Sequence, residues 1–345
     1  MIGLFQNQRN WQTIKEQVLD LVEKDHSVGR AQNGSLTEKL ETVLAKRFNR
    51  QHCVTTASCT DALIIGLLAM DLKPNSRVGV PNYTFTASAH AVARAGHTVV
   101  PVDVRNDYCY DLEADAPAVD AIVGVDMFGN MCNWQVIEQL GVPVINDAAQ
   151  SIESHNGSKY SAEYGDVACL SFSPSKTISS WGSGGAILTN SKRIADKARK
   201  LRLHGKQFND ATAIHAGMNS MMSSFECACV LVALEHSNAW QARRHKIASY
   251  LQDKSKYQCA IRPLAKHTYS KLVFQSEERS SVQDTLKEKG ISTARHYQMC
   301  INDETLYRGG KTLPISRKLK EISFTVPNQH TLTDAEVEHI GKNLQ

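Results

Sequence analysis

The 345-residue chain contains no Cys-x-x-Cys pair and no His-x-x-x-His or His-Glu-x-x-His grouping. Its nine cysteines are irregularly spaced and odd in number, which argues against a disulfide framework or a zinc site and for reduced, mostly buried small hydrophobes. With 13 histidines scattered likewise, no metal is expected. No apolar run approaches the length of a membrane span, and the opening residues show no basic-then-apolar leader, so the expectation is a cytoplasmic protein without a membrane partner. The net charge of +4 is thinly spread. Short basic clusters such as Arg243-Arg244-His245-Lys246 and Arg317-Lys318-Leu319-Lys320 read as solvated helix faces, and no aromatics interleave them as a single-strand-binding surface requires, so nucleic acid is not expected as a partner. Repeats, low-complexity tracts and flexible linkers are absent too. What remains is ordinary globular composition, 42% hydrophobic and 21% charged, in a chain long enough for roughly two domains.

The organising stretch runs from Asp166 to Thr189. Val167 to Leu170 and Ala186 to Leu188 read as short buried strands, and the hydroxyl- and glycine-rich turn between them carries Lys176. Desolvation lowers an amine's pKa and makes it a nucleophile toward a carbonyl, as a Schiff base with an aldehyde cofactor requires. A loop lysine read in isolation is better explained by plain solvation.

Upstream, strands alternate with helices. The spacing predicts a weakly patterned first helix within residues 1 to 34, followed by a turn around Gly29 and Gly34. It predicts a helix from about Leu36 to Phe48 with a capping box at Ser35-Leu-Thr-Glu38, a strand at His52 to Thr55, and a helix opening at Ala57-Ser-Cys-Thr-Asp-Ala-Leu63 and reaching Met70. A strand, a hydroxyl-rich turn and a helix N-terminus together suit an anion, and Ser58 and Thr60 add hydroxyl donors; the same residues also serve as plain N-caps. Strands follow at Arg77 to Val80, Thr98 to Val102, Ala121 to Val125 and Val142 to Ile145. This order implies an α/β fold with a mostly parallel sheet, whose ligands gather at the strands' C-terminal ends. Tyr83 and Phe85 sit at one such end, as core aromatics or as a platform for a flat cofactor. Asp147 sits at another, where a carboxylate needs a positive partner such as a protonated pyridine nitrogen or else caps the next helix; Gln150 follows on the turn. Further on, a long helix begins at the box Ser223-Ser-Phe-Glu226. Lys271 to Gln275 reads as a strand, Ser280 to Lys289 as a helix, and Thr333-Asp-Ala-Glu336 as the cap of a last helix.

Taken together these segments resemble the DegT/DnrJ/EryC1/StrS sugar aminotransferases, pyridoxal-phosphate enzymes of fold type I. Ala57 to Leu63 is similar to that family's phosphate turn, and Val80-Pro-Asn-Tyr-Thr-Phe-Thr-Ala87 to its Val-Pro-x-x-Thr-Phe-x-Ala motif. Ala95 to Asp103, Gly124 to Gly129, Asn146 to Gln150, Leu201 to Gly205, Gly217 to Ser223, Gly290 to Tyr297 and Phe324 to Pro327 follow in the family's order. The resemblance implies a large cofactor domain at residues 31–240, its mostly parallel sheet sandwiched by helices, between an N-terminal arm at 1–30 and a small C-terminal α/β domain at 241–345. It implies that Lys176 bonds covalently to pyridoxal 5'-phosphate and then shuttles a proton. Asp147 holds the ring nitrogen, Phe85 stacks on the ring and Gln150 contacts its 3-oxygen. Thr60, Ser58, Ser171 and the Asp61 backbone N–H grip the phosphate. The expected reaction moves an amino group from an amino acid, usually glutamate, to a nucleotide-linked keto-sugar, in a homodimer with shared active sites. Arg295 and His296 resemble residues near the ligand entrance. There are departures: Cys59 stands in place of glycine, Met221 in place of an Arg or Asn reaching the neighbouring subunit's phosphate with Asn219 as a substitute, Asn146 in place of Glu, and Ser183 in place of an acidic residue. They leave two alternatives, a catalytically divergent cofactor-binding protein with a regulatory role, or a sugar dehydratase. Lys176 counts against the dehydratase, since that branch carries histidine there.

Overall fold

The computed structural model describes residues 1–25, 32–111, 118–207, 209–309 and 311–345, so the expected turn at Gly29 lies outside the described residues. Ten strands and ten helices are numbered here in chain order. The first half runs α1 (Asn7–Lys24), α2 (Ser35–Arg47), β1 (His52–Thr56), α3 (Cys59–Ala69), β2 (Arg77–Pro81), α4 (Ala87–Arg94), β3 (Thr98–Val102), β4 (Ala121–Val125), α5 (Trp134–Gln139) and β5 (Val144–Asp147). The second half runs β6 (Val167–Ser171), β7 (Gly185–Thr189), α6 (Lys192–Leu201), α7 (Ser224–Lys254), β8 (Gln258–Cys259), β9 (Leu272–Gln275), α8 (Arg279–Glu288), α9 (Pro314–Ile322), β10 (Ser323–Val326) and α10 (Asp334–Lys342).

Seven strands form one sheet in the order β1-β7-β6-β5-β4-β2-β3. Only β7 runs antiparallel to its neighbours, so the expected mostly parallel α/β sheet is present. The pleat's period of two sends alternate residues to opposite layers. Along β6, Val167 and Cys169 pack with α3, α4 and α6, while Ala168 and Leu170 pack with α1, α2 and α7. Both faces being covered explains why these strands read as continuous apolar runs. A second, antiparallel sheet, β10-β9-β8, builds its own core from Phe274, Phe324, Leu286, Val337 and Ile340, with Ile247 and Leu251 from the far half of α7. Helix α7 thus joins both cores, and its capping box is formed: Ser223 Oγ accepts from Glu226 N at 3.2 Å while Glu226 Oε2 accepts from Ser223 N at 3.1 Å. The late segment returns to the large sheet. Cys300, Ile301, Leu319 and Ile322 pack in its core. The Asp103 carboxylate accepts from Ile315 N at 3.0 Å and Ser316 N at 2.8 Å, at the start of α9.

Two local expectations are corrected. The capping box at Ser35 does not form: the N-cap is Gly34, Ser35 is already helical, and its hydroxyl bonds to Asp25 instead. The fifth strand lies two residues later than Val142 to Ile145, because Asn146 and Asp147 remain in register with Ala168 and Cys169. Asn146 tolerates that buried position by donating to Ser161 O at 2.7 Å.

Glu41 of α2 and Arg202, just past α6, form an ion pair at 2.6 Å with side chains 14% and 7% exposed. Arg202 also donates to Thr55 O at 2.9 Å and Asn33 Oδ1 at 2.9 Å. Removing one member strands a buried charge, so Glu41→Ala is expected to lower unfolding free energy by about 3–5 kcal/mol. Urea denaturation checks this; a loss under about 1 kcal/mol would mean the pair behaves as a surface bridge. Among the described residues no helix is long and apolar enough to cross a membrane, and no group of three or more His, Cys, Asp or Glu is arranged to hold a metal ion.

Candidate active site

The parallel strands deliver their last residues to one edge of the large sheet. There β1 leads to Ser58, β2 to Phe85, β5 ends at Asp147 and β6 at Ser171. Antiparallel β7 begins at the same edge, so the turn between β6 and β7 holds Lys176 above it. A cavity of about 440 Å³ opens there. It is lined by Ser58, Thr60, Phe85, Asp147, Gln150, Ser171 and Lys176, seven of the nine residues expected from sequence.

Ser58 is the N-cap of α3, its Oγ accepting from Asp61 N at 3.1 Å. That contact engages the Asp61 N–H, and the Asp61 carboxylate accepts from Ser220 Oγ at 2.7 Å, so Asp61 is not among the cavity-lining residues. Asn219 is exposed, bridges to Leu203 through its backbone and does not line the cavity either. The start of α3 lies against Gly185 of β7, where a Cβ would sit 2.5 Å from the Ser58 carbonyl carbon and 2.6 Å from Cys59 N. Only a residue without a side chain lets β7 pass this close, leaving a recess at the helix N-terminus. Cys59, half-buried, lines the same cavity, with burial holding its thiol well above the usual range.

Asp147 is 5% exposed. Burial raises its carboxyl above the ordinary range, opposed by hydrogen bonds from Ser88 Oγ at 2.8 Å and Ala149 N at 3.2 Å. Lys176 has the opposite problem: desolvation pulls its amine below the ordinary value, while the nearby Cys59 and Asp147 oppose the shift. Gln150 donates to Tyr297 Oη at 3.2 Å, and its Oε1 accepts from Phe128 N at 3.3 Å. Phe85, 53% exposed, has Tyr297 beside it at 5.4 Å between ring centroids, leaving a ring face open to the cavity. Of the two entrance residues, His296 lines the cavity and Arg295 does not; burial drops the His296 imidazole to about 3.

Four lining or supporting residues escape sequence reasoning. Ser88 is the second residue of α4, one position past the Val80–Ala87 motif. Tyr297 was quoted in a motif without a role. Phe5 and Lys271 line the cavity from opposite ends of the chain, and no local pattern joins them.

The family model for the DegT/DnrJ/EryC1/StrS aminotransferase family matches residues 12–345. The chain belongs to this family. It is 31% identical over 328 residues to the UDP-2-acetamido-2-deoxy-3-oxo-D-glucuronate aminotransferase of Pseudomonas aeruginosa, covering 89% of each chain. It is also 31% identical over 232 residues to the 3-oxo-glucose-6-phosphate:glutamate aminotransferase of Bacillus subtilis, covering 64% of this chain and 52% of that one. A DegT DnrJ EryC1 StrS aminotransferase from Brucella abortus superposes with a TM-score of 0.93 at 26% identity, over 100% of this chain and 98% of that one. The protein is therefore a sugar aminotransferase of the fold-type-I, pyridoxal-phosphate class, as the sequence motifs implied. Its cavity fits the cofactor's demands: an amine, a carboxylate, an open aromatic face, and a recess at a helix N-terminus bordered by Ser58, Thr60 and Ser171 hydroxyls. Of the departures, Cys59 and Ser183 line the same cavity. Met221 lines a separate pocket with Glu41 and Arg202.

Proposed function

We propose that this aminotransferase moves an amino group from L-glutamate to the ketone of a nucleotide-linked keto-sugar. The observation that carries the reading is the shared cavity of Lys176, Asp147 and Thr60. The names of the relatives supply the substrate classes: a UDP-linked 3-oxo sugar for one and glutamate as donor for another.

Bound in this cavity, pyridoxal phosphate supplies an electron sink for the carbon that loses a proton. The chain's own residues do the rest. The Lys176 amine would hold the cofactor covalently at rest and, displaced by the donor's amine, would accept the proton from the donor's amine-bearing carbon in one half-reaction and deliver a proton to the former carbonyl carbon of the sugar in the other. Its lowered pKa keeps a larger unprotonated fraction near neutrality than a surface lysine has. Asp147 pairs with the protonated ring nitrogen, oriented by Ser88 and Ala149 N. Phe85 stacks on the ring. Gln150, held by Tyr297, meets the ring's 3-oxygen. Thr60, Ser58, Ser171 and the first turn of α3 hold the phosphate, the Asp61 N–H joining them only by giving up its bond to Ser58 Oγ. A cytoplasmic homodimer belongs to the same proposal, with exposed Asn219 serving the neighbouring subunit's site, and so does a division into an N-terminal arm, a large domain to about residue 240 and a small C-terminal domain.

The test is to load the protein with pyridoxal phosphate and add L-glutamate. Loss of the visible cofactor absorbance with stoichiometric 2-oxoglutarate is expected; colour that persists with every common amino donor contradicts the reading. A pH experiment tests Asp147's support. Removing the Ser88 hydroxyl withdraws a donor from the charged carboxylate, so its pKa rises and protonation begins at higher pH. Ser88→Ala should therefore shift the acid limb of the kcat/KM profile upward; an unmoved or lowered limb would contradict the role given to that bond.

A further inference from the structure

The cavity holds a second lysine that the chemistry above does not use. Lys271, at the start of β9, is 8% exposed and lines the same cavity as Lys176. Its ammonium donates to two backbone carbonyls, Ser175 O at 3.2 Å and Ser270 O at 3.2 Å, and the Phe5 ring lies 4.8 Å away. Among the described residues no carboxylate pairs with it. An ammonium has three donors, and a buried cation without a counter-ion is costly. Among the described residues Asp147 is the one carboxylate lining the cavity, against two lysines. It is bonded to Ser88, and its charge opposes the lowering of the Lys176 amine.

Neighbouring charges sharpen the point. Desolvation first, then repulsion from Lys176 and Arg244, hold the Lys271 amine well below its ordinary value. Arg244 is itself fully buried, bonded to Asn328 O at 3.3 Å and to the Gln329 side chain rather than to a carboxylate. Of the two, Lys271 lines the cavity, so the wall just before β9 presents an amine with no carboxylate partner to the space where substrate must sit, and a carboxylate arriving beside it would favour its charged form. The Phe5 ring, brought there by an N-terminal segment whose Ile2 pairs with Ile291, shields the ammonium from bulk water. A shielded cation binds an anion more strongly than an exposed one.

We propose that Lys271 is the binding residue for a substrate carboxylate. This rests on the aminotransferase reading and adds to it a determinant of which substrates are accepted. Two sources present the same group: the amino-acid donor, and a sugar bearing a carboxylate of its own.

The experiment uses the cofactor-loaded full chain as wild type, Lys271→Met and Lys271→Arg. Glutarate, which has the two carboxylates of the donor but no amine, is titrated by calorimetry; this reads binding without turnover. Lys271→Met is expected to weaken glutarate about ten- to a hundredfold, the loss of one charge-assisted contact, and Lys271→Arg to recover most of it. In single-turnover reactions, a matching rise in the apparent Kd for L-glutamate assigns the contact to the donor. A rise confined to a 3-oxo nucleotide-sugar with a carboxylate, and absent for the same sugar with a hydroxymethyl group, assigns it to the acceptor. Retention of borohydride-reducible cofactor certifies that each variant is folded. Unchanged affinity for glutarate, glutamate and the carboxylate sugar in folded Lys271→Met overturns the proposal, as does loss of cofactor affinity with glutarate binding intact. If wild type binds glutarate through Lys271 but never converts glutamate, the carboxylate site stands and the transamination reading falls.

Discussion

Lys176→Ala is expected to lower the transamination rate by about four orders of magnitude or more, and to abolish the borohydride-reducible attachment of the cofactor. The size follows from two roles lost together. The amine is the point of covalent attachment and the group that carries a proton at the reacting carbon, and residues acting as a unit are lost as a unit. In the cofactor-free chain an alanine also removes the lysine charge that opposes the rise in the Asp147 pKa. The cofactor's phosphate contacts at the start of α3 remain, so the variant should still bind cofactor non-covalently and be dialysed free of it more readily. Rates of proton exchange at the donor's α-carbon, followed by loss of deuterium from labelled glutamate, separate the roles: exchange should disappear in the variant. Exchange at even a tenth of the wild-type rate would mean another base acts.

Asp147→Asn is expected to cost about 10²–10³-fold in kcat, the magnitude seen when one preorganised electrostatic contact is removed from a reacting site. Asparagine keeps the shape but has a single acceptor oxygen: it can still accept from Ala149 N, 3.2 Å from carboxylate Oδ1, while its NH2 meets the Ser88 hydroxyl, 2.8 Å from Oδ2, which must then accept instead of donate. What it lacks is the negative charge that keeps a pyridine nitrogen protonated. The effect should therefore fall on kcat, with covalent attachment at Lys176 and the visible colour of the resting protein preserved. A variant that lost colour, or one that turned over at a rate within threefold of wild type, would contradict the assigned role. Buried as it is, Asp147 offers little to an alternative purpose: its neighbours are a hydroxyl, a backbone N–H and an amine, all consistent with holding a charge in place.

Much of this site could be read before folding was considered, for a local reason. Ser58, Phe85, Asp147, Ser171 and Lys176 each sit at the end of a buried strand or in the turn after it, with Thr60 in the first turn of the helix that follows, and an apolar run stopped by polar residues is visible in one dimension. The parallel sheet then brings those ends to one edge, so a list of strand ends is already a list of neighbours. The direction of β7 was not legible, since an apolar five-residue run carries no mark of its polarity; Gly185 gave no hint that it clears Ser58 and Cys59 across the sheet. Ser35 misled because its hydroxyl had a competing partner in Asp25. Asn146 and Asp147 read as a strand's end although both lie within the ladder, their polarity absorbed by Ser161 O and by Ser88. Lys271 and Phe5 were out of reach altogether, because 266 positions of chain separate 5 from 271 and only the tertiary fold places an aromatic ring 4.8 Å from that ammonium.

Two desolvated lysines in one cavity make the assignment of the covalent bond a decisive question. Lys176 extends from the turn between β6 and β7 and is coupled to Asp147, whereas Lys271 is tied to two carbonyls and set on the small sheet. Borohydride reduction of the cofactor-loaded protein, followed by proteolysis and mass spectrometry, measures directly which amine is bound. The phosphopyridoxyl group is expected on the peptide containing Lys176 and on no other; its appearance on Lys271, or on neither, would contradict the account.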